Sequence, residues 1–265
     1  MNRWLLNTFT TWQLALIVIG AFVLLALVGV ALLKQRPVHL REGDGNQVAG
    51  VVLGVVSGIY GIMLALVIVS LYTSYQQAGS DIRAEASTIS MVYRDSRGFA
   101  PPVATAVRDQ IGAYVHDVTG PEWRALRQGG ESQAAWNHLN GLYRILQAYE
   151  PRTTSQKTFY TEVVGRVNDL VAARRARLND AEQSIPPTFE VLLVGGAVLV
   201  LAFTFLFGVR SPRLHAAMAL AVAVLLGFNL LVALVLDYPF SGQVSVSNAP
   251  YTQGALAVFA SERGR

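Results

Sequence analysis

Four glycines stand in one apolar stretch, GVVLGVVSGIYG, at Gly50, Gly54, Gly58 and Gly61, with Ser57 among them. Their spacing of four, four and three does not fit the G-x-G-x-x-G pattern that cradles phosphates. At about 100° per residue, Gly50, Gly54, Ser57, Gly58, Gly61 and Ala65 fall on one side of a helix. Val52, Val56, Ile59, Met63 and Leu66 fall on the other, and Tyr72 and Tyr75 continue the small-residue stripe. A glycine costs a helix about 1 kcal/mol against alanine, so four in one helix call for a compensating role. In lipid, a ridge of small residues lets helix backbones approach closely. Beside an axial pore the same ridge, with the Ser57 hydroxyl, leaves room for an ion. Either use, or both on different parts of the stripe, fits the pattern.

Other chemistry-bearing residues are sparse. His116-Asp117, Glu122 and His138 could meet at a metal, but no His-x-x-x-His spacing supports one, and solvated helix faces are the simpler reading. The chain has no cysteine, which removes disulfides, thiolate metal sites and thiol nucleophiles. No serine sits in a nucleophile-elbow pattern, so no enzymatic activity and no cofactor are expected. Arg83 and Glu85 form a charged pair of positions where an apolar run gives way to polar sequence. A final motif, Asp237-Tyr238-Pro239-Phe240-Ser241-Gly242, closes the last apolar run. Pro239 ends a helix there, Tyr238 and Phe240 suit a membrane interface, and Ser241-Gly242 makes a turn. Asp237 either ends the helix simply or pairs with an arginine such as Arg83.

The elements that carry these residues follow from charge segregation. Hydrophobic residues make up 52% of the 265 residues and charged ones 14%, against roughly 25% charged in soluble proteins. Charge is absent from 13–33, 47–79, 191–209 and 215–236. Each run reaches or approaches the roughly 20 apolar residues that cross a hydrocarbon core. Four transmembrane helices are expected at about 13–33, 48–75, 189–209 and 214–236. The first has too long an apolar core for a cleaved signal peptide, and Lys34 and Arg36 follow it as a stop-transfer signal would. The net charge of +4 is mostly arginine. It suits lipid headgroups and topology, and no nucleic-acid motif accompanies it.

Between the second and third runs the sequence is polar and reads as helix. Ile82, Ala86, Ile89 and Tyr93 share a face, as do Val103, Val107, Ile111, Tyr114 and Val115. Pro101-Pro102, Gly120-Pro121 and Gly129-Gly130 punctuate the stretch. An amphipathic helix carries Ala135, Trp136, Leu139, Leu142, Tyr143 and Leu146, with Trp136 expected to be mostly buried. A last long helix, capped at Thr153 or Thr154, carries Phe159, Val163, Val167, Leu170 and Val171. The expected fold is all-α, four transmembrane helices with a helical bundle inserted between helices two and three. Its parts are 1–75 with the first two spans, 76–187 as an extramembrane bundle, 188–236 with the last two spans, and 237–265 as a C-terminal arm, extended on the bundle or on a neighbour.

Short loops holding Lys34, Arg36, Arg41, Arg210 and Arg213 face the longer segments holding Arg3, Arg83, Arg94, Arg174, Arg175 and Arg177. Positive-charge density leans toward cytoplasmic short loops and a bundle on the outer side. No carboxylate, lysine or histidine stands in the middle of a span, and intramembrane charge is the usual mark of ion-coupled transport.

The layout of two apolar helices, a helical domain entered by EAS and YRDSRG within 85–98, a further hairpin, and the closing LDYPFSGQVSV resembles the bacterial bestrophin-like membrane family across nearly the whole chain. Bestrophins are homopentameric anion channels with a cytosolic helical domain and a pore lined by the second transmembrane helix. The resemblance therefore implies an integral protein of the bacterial inner membrane, a homo-oligomer, pentameric if it follows that family, and passage of small anions. Tyr75, Arg83 and Ser96-Arg97 echo the family's helix after the second span, at different spacing, while glycine and aliphatic residues replace its aromatic neck. The family's cytosolic domain stands against the charge-density reading, so the side of the bundle stays open. Two function classes follow. One is a passive channel; the other is a membrane-anchored helical bundle acting as sensor or scaffold.

Overall fold

The computed structural model describes residues 2–33, 44–206 and 211–261. Ten α-helices follow in order among them: α1 Asn2–Thr8, α2 Thr11–Leu33, α3 Asp44–Asp95, α4 Pro101–Asp117, α5 Trp123–Leu126, α6 Gln133–Ala148, α7 Thr154–Glu182, α8 Pro187–Thr204, α9 Pro212–Leu236 and α10 Ala257–Ser261. No strand occurs among the described residues. Four helices are long and apolar enough to cross a membrane: α2, the first part of α3, α8 and α9. Lys34, Arg36, Arg41 and Arg210, which entered the topology count, lie outside the described residues.

The chain divides into two compact units. One comprises Met1–Thr73, Ser184–Tyr238 and Gly242–Val244; the other comprises Ser74–Gln183, Pro239–Ser241 and Ser245–Arg265. We call them the membrane unit and the bundle unit.

In the membrane unit, α2 and α9 are the most extensively packed pair. Small residues make this possible: Ala26, Ala219 and Ala223 are completely buried. A Cβ at Gly227 would stand 2.9 Å from the Ile19 backbone, so glycine there permits the crossing. Close backbone approach through small residues is the main route to helix association in lipid. Ser211 caps α9 by accepting the Leu214 N–H, and Pro212 occupies the first turn, where its missing N–H costs nothing.

The bundle unit is built as a soluble helical protein is. The polar part of α3 buries Ala78, Ile82, Ala86, Ile89 and Val92, which meet Val107, Ile111, Tyr114 and Val115 of α4, Leu139, Leu142 and Leu146 of α6, and Val163, Val167 and Leu170 of α7. Pro101 and Pro102 do more than stop the preceding helix: a 3₁₀ turn, Ser96–Gly98, ends α3, and the two prolines open α4. Thr153 is the N-cap of α7. Its hydroxyl accepts the Gln156 N–H at 3.1 Å and Gln156 Oε1 accepts the Thr153 N–H at 3.3 Å, a reciprocal capping box. Gly129, at φ 80, turns the chain after α5.

Two expectations need correction here. Trp136 is half-buried, because its indole lies over the Arg174 guanidinium at 4.6 Å instead of inside the apolar core. Phe159 is 37% exposed, with its ring against Gly98 rather than in the bundle core. The C-terminal segment has no regular secondary structure over Ser245–Asn248, and Asn248, at φ −85 and ψ 5, is not extended. It then forms two 3₁₀ turns and α10, and buries Val246, Tyr251 and Leu256 in the bundle core.

Candidate functional site

The small-residue face of α3 lies in the membrane unit, and its orientation there is set by one aromatic residue. Tyr60 is buried, its hydroxyl donates to the Leu193 carbonyl at 2.8 Å, and its ring lies against Gly196, where any Cβ would overlap it. Together with Leu53, Val56, Met63, Leu64, Val67 and Ile68, this turns one face of α3 inward. The side opposite the glycines, read as one surface in the sequence, is therefore divided. Val56 and Met63 pack, while Val52, Ile59 and Leu66 are exposed. Both are apolar, and only the position of α8 and α9 separates them.

The ridge itself is open. Gly54, Gly58, Gly61 and Ala65 are exposed, Gly50 is half-buried, and a Cβ at Gly54, Gly58 or Gly61 would meet nothing within 4 Å. Among the described residues, none packs closely on Gly54, Gly58 or Gly61. Of the window that qualifies α3 as a span only 11% is buried, against 39% for α9, so α3 is the least enclosed of the four. Ser57 is half-buried, and its hydroxyl donates back to the Leu53 carbonyl at 2.5 Å. Its proton is satisfied within its own helix, so outward it offers oxygen lone pairs rather than a free donor. Ser57, Tyr60, Gly61, Ala65, Thr204 and Asn229 line a groove of about 310 Å³ between α3, α8 and α9. Tyr72, further along the stripe, is exposed, whereas Tyr75 packs on the bundle core.

Arg83 is exposed on α3, as a residue offering its charge to solvent must be. Glu85 is not its companion at the surface. It is completely buried, because two residues further along an α-helix is about 200° around its axis. Arg177 of α7 reaches it with Nε to Oε2 at 2.6 Å and Nη2 to Oε1 at 3.2 Å, and the Tyr114 hydroxyl donates to Oε1 at 2.5 Å. The same Arg177 Nη2 donates to Glu122 Oε1 at 2.6 Å, which also receives Arg174 Nη1 at 2.5 Å. Arg174 Nη2 donates to the Ser132 carbonyl at 3.2 Å, and the Ser132 N–H reaches Glu122 Oε2 at 3.3 Å. Glu122 faces inward from a single π-helical turn, Val118–Glu122, that carries Pro121.

The cluster holds two carboxylates and two guanidiniums, so its formal charge is zero. Burial alone would raise the Glu122 carboxyl, but Arg177 and Arg174 hold it below the usual carboxylate range. Burial, and then Glu85, push the Tyr114 hydroxyl well above its ordinary value, so it stays a neutral donor. Arg174 and Arg177 were counted as topology charges; their burial removes them from any vote by headgroup contact. The missed signal was the i, i+3 arginine pair on the apolar side of α7, in step with Val163, Val167 and Leu170.

Glu122 is thus committed to Arg174 and Arg177. His116, Asp117 and His138 do come together: His138 Nε2 is 3.3 Å and His116 Nδ1 3.7 Å from the Asp117 carboxylate, and His138 Nδ1 faces Gln110 Oε1 at 3.2 Å. No group of three metal-binding side chains with a metal's geometry occurs among the described residues.

The closing motif is shared between the units. Asp237 is 5% exposed and accepts the Ile185 N–H at 2.8 Å, a backbone partner in place of the arginine considered from sequence. The half-buried Tyr238 lies under Arg3 at 5.2 Å. Pro239 O accepts the Val246 N–H at 2.8 Å. Phe240 is no interfacial anchor: it is 2% exposed and packs edge-on against Trp123 at 5.7 Å in the bundle. Ser241 donates to the Arg127 carbonyl at 2.9 Å. Gly242, at φ 77, takes a left-handed conformation that favours glycine, and its N–H reaches Asn7 Oδ1 at 3.1 Å.

An all-helical chain with four apolar spans, an open glycine face on the second and a polar helical unit is a membrane protein in its architecture. The family model described as Bestrophin-like domain matches residues 20–251, and the chain belongs to that family. It is similar in fold to a solved crystal structure of a membrane protein, at 10% identity and a TM-score of 0.67, covering 95% of this chain and 99% of that one. No curated protein matches the sequence.

Proposed function

We propose that the chain is the protomer of an oligomeric channel that passively conducts small anions, with α3 lining the axis. The observation that carries this reading is the open small-residue face of α3, where Gly54, Gly58, Gly61 and Ala65 are exposed and unpacked within the protomer. Glycines used for packing inside one chain would need no second copy. Glycines left open on an apolar span point to surfaces that only assembly creates. Membership of the bestrophin-like family supports the same reading, with a pentamer in the bacterial inner membrane as the expected form. In this arrangement lipid covers the exposed apolar faces of α2 and α8, and the helical bundle inserted between spans two and three stands outside the bilayer. Passive flow needs a wide enough path with weak binding along it. Arg83, repeated around the axis, raises the local anion concentration.

The test is purified protein in planar bilayers under a chloride gradient, with reversal potentials for wild type and Arg83→Glu. An anion-selective current whose selectivity falls in the variant is the expected result. A cation-selective current rejects the anion assignment. Silence from well-folded oligomers favours the sensor or scaffold role.

A further inference from the structure

Two tryptophans of the membrane unit are turned out of it. Trp4 of α1 is 61% exposed and Trp12 of α2 is 72% exposed. Packing fixes the level at which they stand. Thr10 caps α2: its Oγ1 accepts the Gln13 N–H at 3.3 Å, and its N–H donates to Gln13 Oε1 at 2.9 Å. Across the break between the two helices, Leu6 of α1, Leu14 of α2 and Leu231 of α9 are buried in one cluster. This holds α1 beside the start of α2 and the last turns of α9. The start of α8 lies at the same end, because the Ile185 N–H donates to Asp237 at the end of α9. Phe189, in the first turn of α8, is exposed as well. Trp12 is the second residue of a 22-residue apolar span, Thr11–Leu32. At 1.5 Å per residue that span is about 33 Å long, close to the roughly 30 Å of a hydrocarbon core. Its first residues therefore fall where acyl chains give way to headgroups.

We propose that Trp4, Trp12 and Phe189 form a lipid-interface anchor, seated in the ester-carbonyl layer of the bilayer at the end of the membrane unit where α2 and α8 begin. An indole has an apolar body and an N–H donor, which suits a layer that offers acyl chains on one side and ester oxygens on the other. The order of exposed residues selects lipid as the occupant over a second copy of the chain. Thr8 and Thr10 are exposed ahead of Trp12, and the exposed Leu16 and Ile17 follow it into the span. On α8 the exposed Val191 and Leu192 follow Phe189 in the same way. Polar, aromatic and then aliphatic is the gradient of the bilayer itself, and a protein surface would impose no such order. These rings take the interfacial place that Phe240, held in the bundle core, does not fill. The inference requires that the spans cross a bilayer and does not require that the chain conduct ions.

The experiment follows tryptophan emission of the full chain reconstituted in phosphatidylcholine vesicles. A doxyl quencher is carried on the lipid either beside the ester group or near the end of the acyl chain. Trp4 and Trp12 lie in the membrane unit, and Trp123 and Trp136 in the bundle unit. The difference between wild type and a Trp4→Phe, Trp12→Phe double variant therefore isolates the emission of the pair. Both positions are exposed, so the double variant should keep the wild-type circular dichroism and Tm in detergent. The ester-level label is expected to remove most of the pair's emission, the deep label much less, and aqueous iodide little. Phe189→Trp in the double variant should add emission that follows the same order. Equal or stronger quenching by the deep label would overturn the proposal, because it places the rings among acyl chains. So would quenching by iodide alone, which places them in water, or no quenching by either lipid label, which marks a surface covered by protein.

Discussion

Replacing Arg177 with methionine removes the residue that joins both halves of the buried cluster. The side chain makes two bonds to Glu85, at 2.6 and 3.2 Å, and one to Glu122 at 2.6 Å. Glu122 keeps Arg174, but Glu85 is left completely buried with the Tyr114 hydroxyl donating to it, the Tyr251 hydroxyl close by, and no guanidinium bonded to it. Breaking a buried pair by removing one partner typically costs about 3–5 kcal/mol, because the remaining charge is uncompensated. For a unit of this size that lowers Tm by roughly 10–15 °C. The full chain in detergent, followed by circular dichroism and tryptophan fluorescence, reports it, since Trp123 and Trp136 both lie in the bundle unit.

Adding Glu85→Gln to Arg177→Met removes the orphaned charge and should recover much of the loss. A single variant within about 2 °C of wild type, or a double variant less stable than the single, refutes the reasoning that uncompensated charge is the dominant cost.

The Asp180 carboxyl is raised to about 7, first by burial and then by Asp81. That raised folded pKa destabilises the bundle as pH climbs through 7, so Asp180→Asn should be more stable than wild type at pH 8 and show a flatter Tm profile from pH 5 to 8. Gly54→Leu and Gly61→Leu should leave the protomer folded, since the added side chains meet open space, yet prevent assembly seen by size exclusion. Gly196→Leu, which collides with the Tyr60 ring, should instead lower protomer stability by about 1–3 kcal/mol. Gly242→Ala forces a left-handed φ of 77 on alanine and should cost about 1 kcal/mol by thermal unfolding.

By itself the sequence determined the helical class, the four apolar spans, the breaks at Pro101 and Gly129, a cap at Thr153 or Thr154 and the phase of the core in α3, α4 and α6. Each of these is a local property: apolar run length, 3.6-residue periodicity, a missing N–H, a side chain bonding three residues away. The glycine ridge was legible for the same reason. Which face of α3 packs was not. In an apolar span both faces look alike, and the choice rests on a Tyr60 hydroxyl finding a carbonyl in α8, 133 residues away. The charges were least legible of all. Glu85, Glu122, Arg174 and Arg177 read as surface residues because charge is ordinarily solvated, and only their meeting from α3, the π turn and α7 compensates the loss of water. Periodicity can place an arginine on a helix face; whether a carboxylate waits opposite is decided by the tertiary structure, since the partners are 52 to 92 residues distant along the chain.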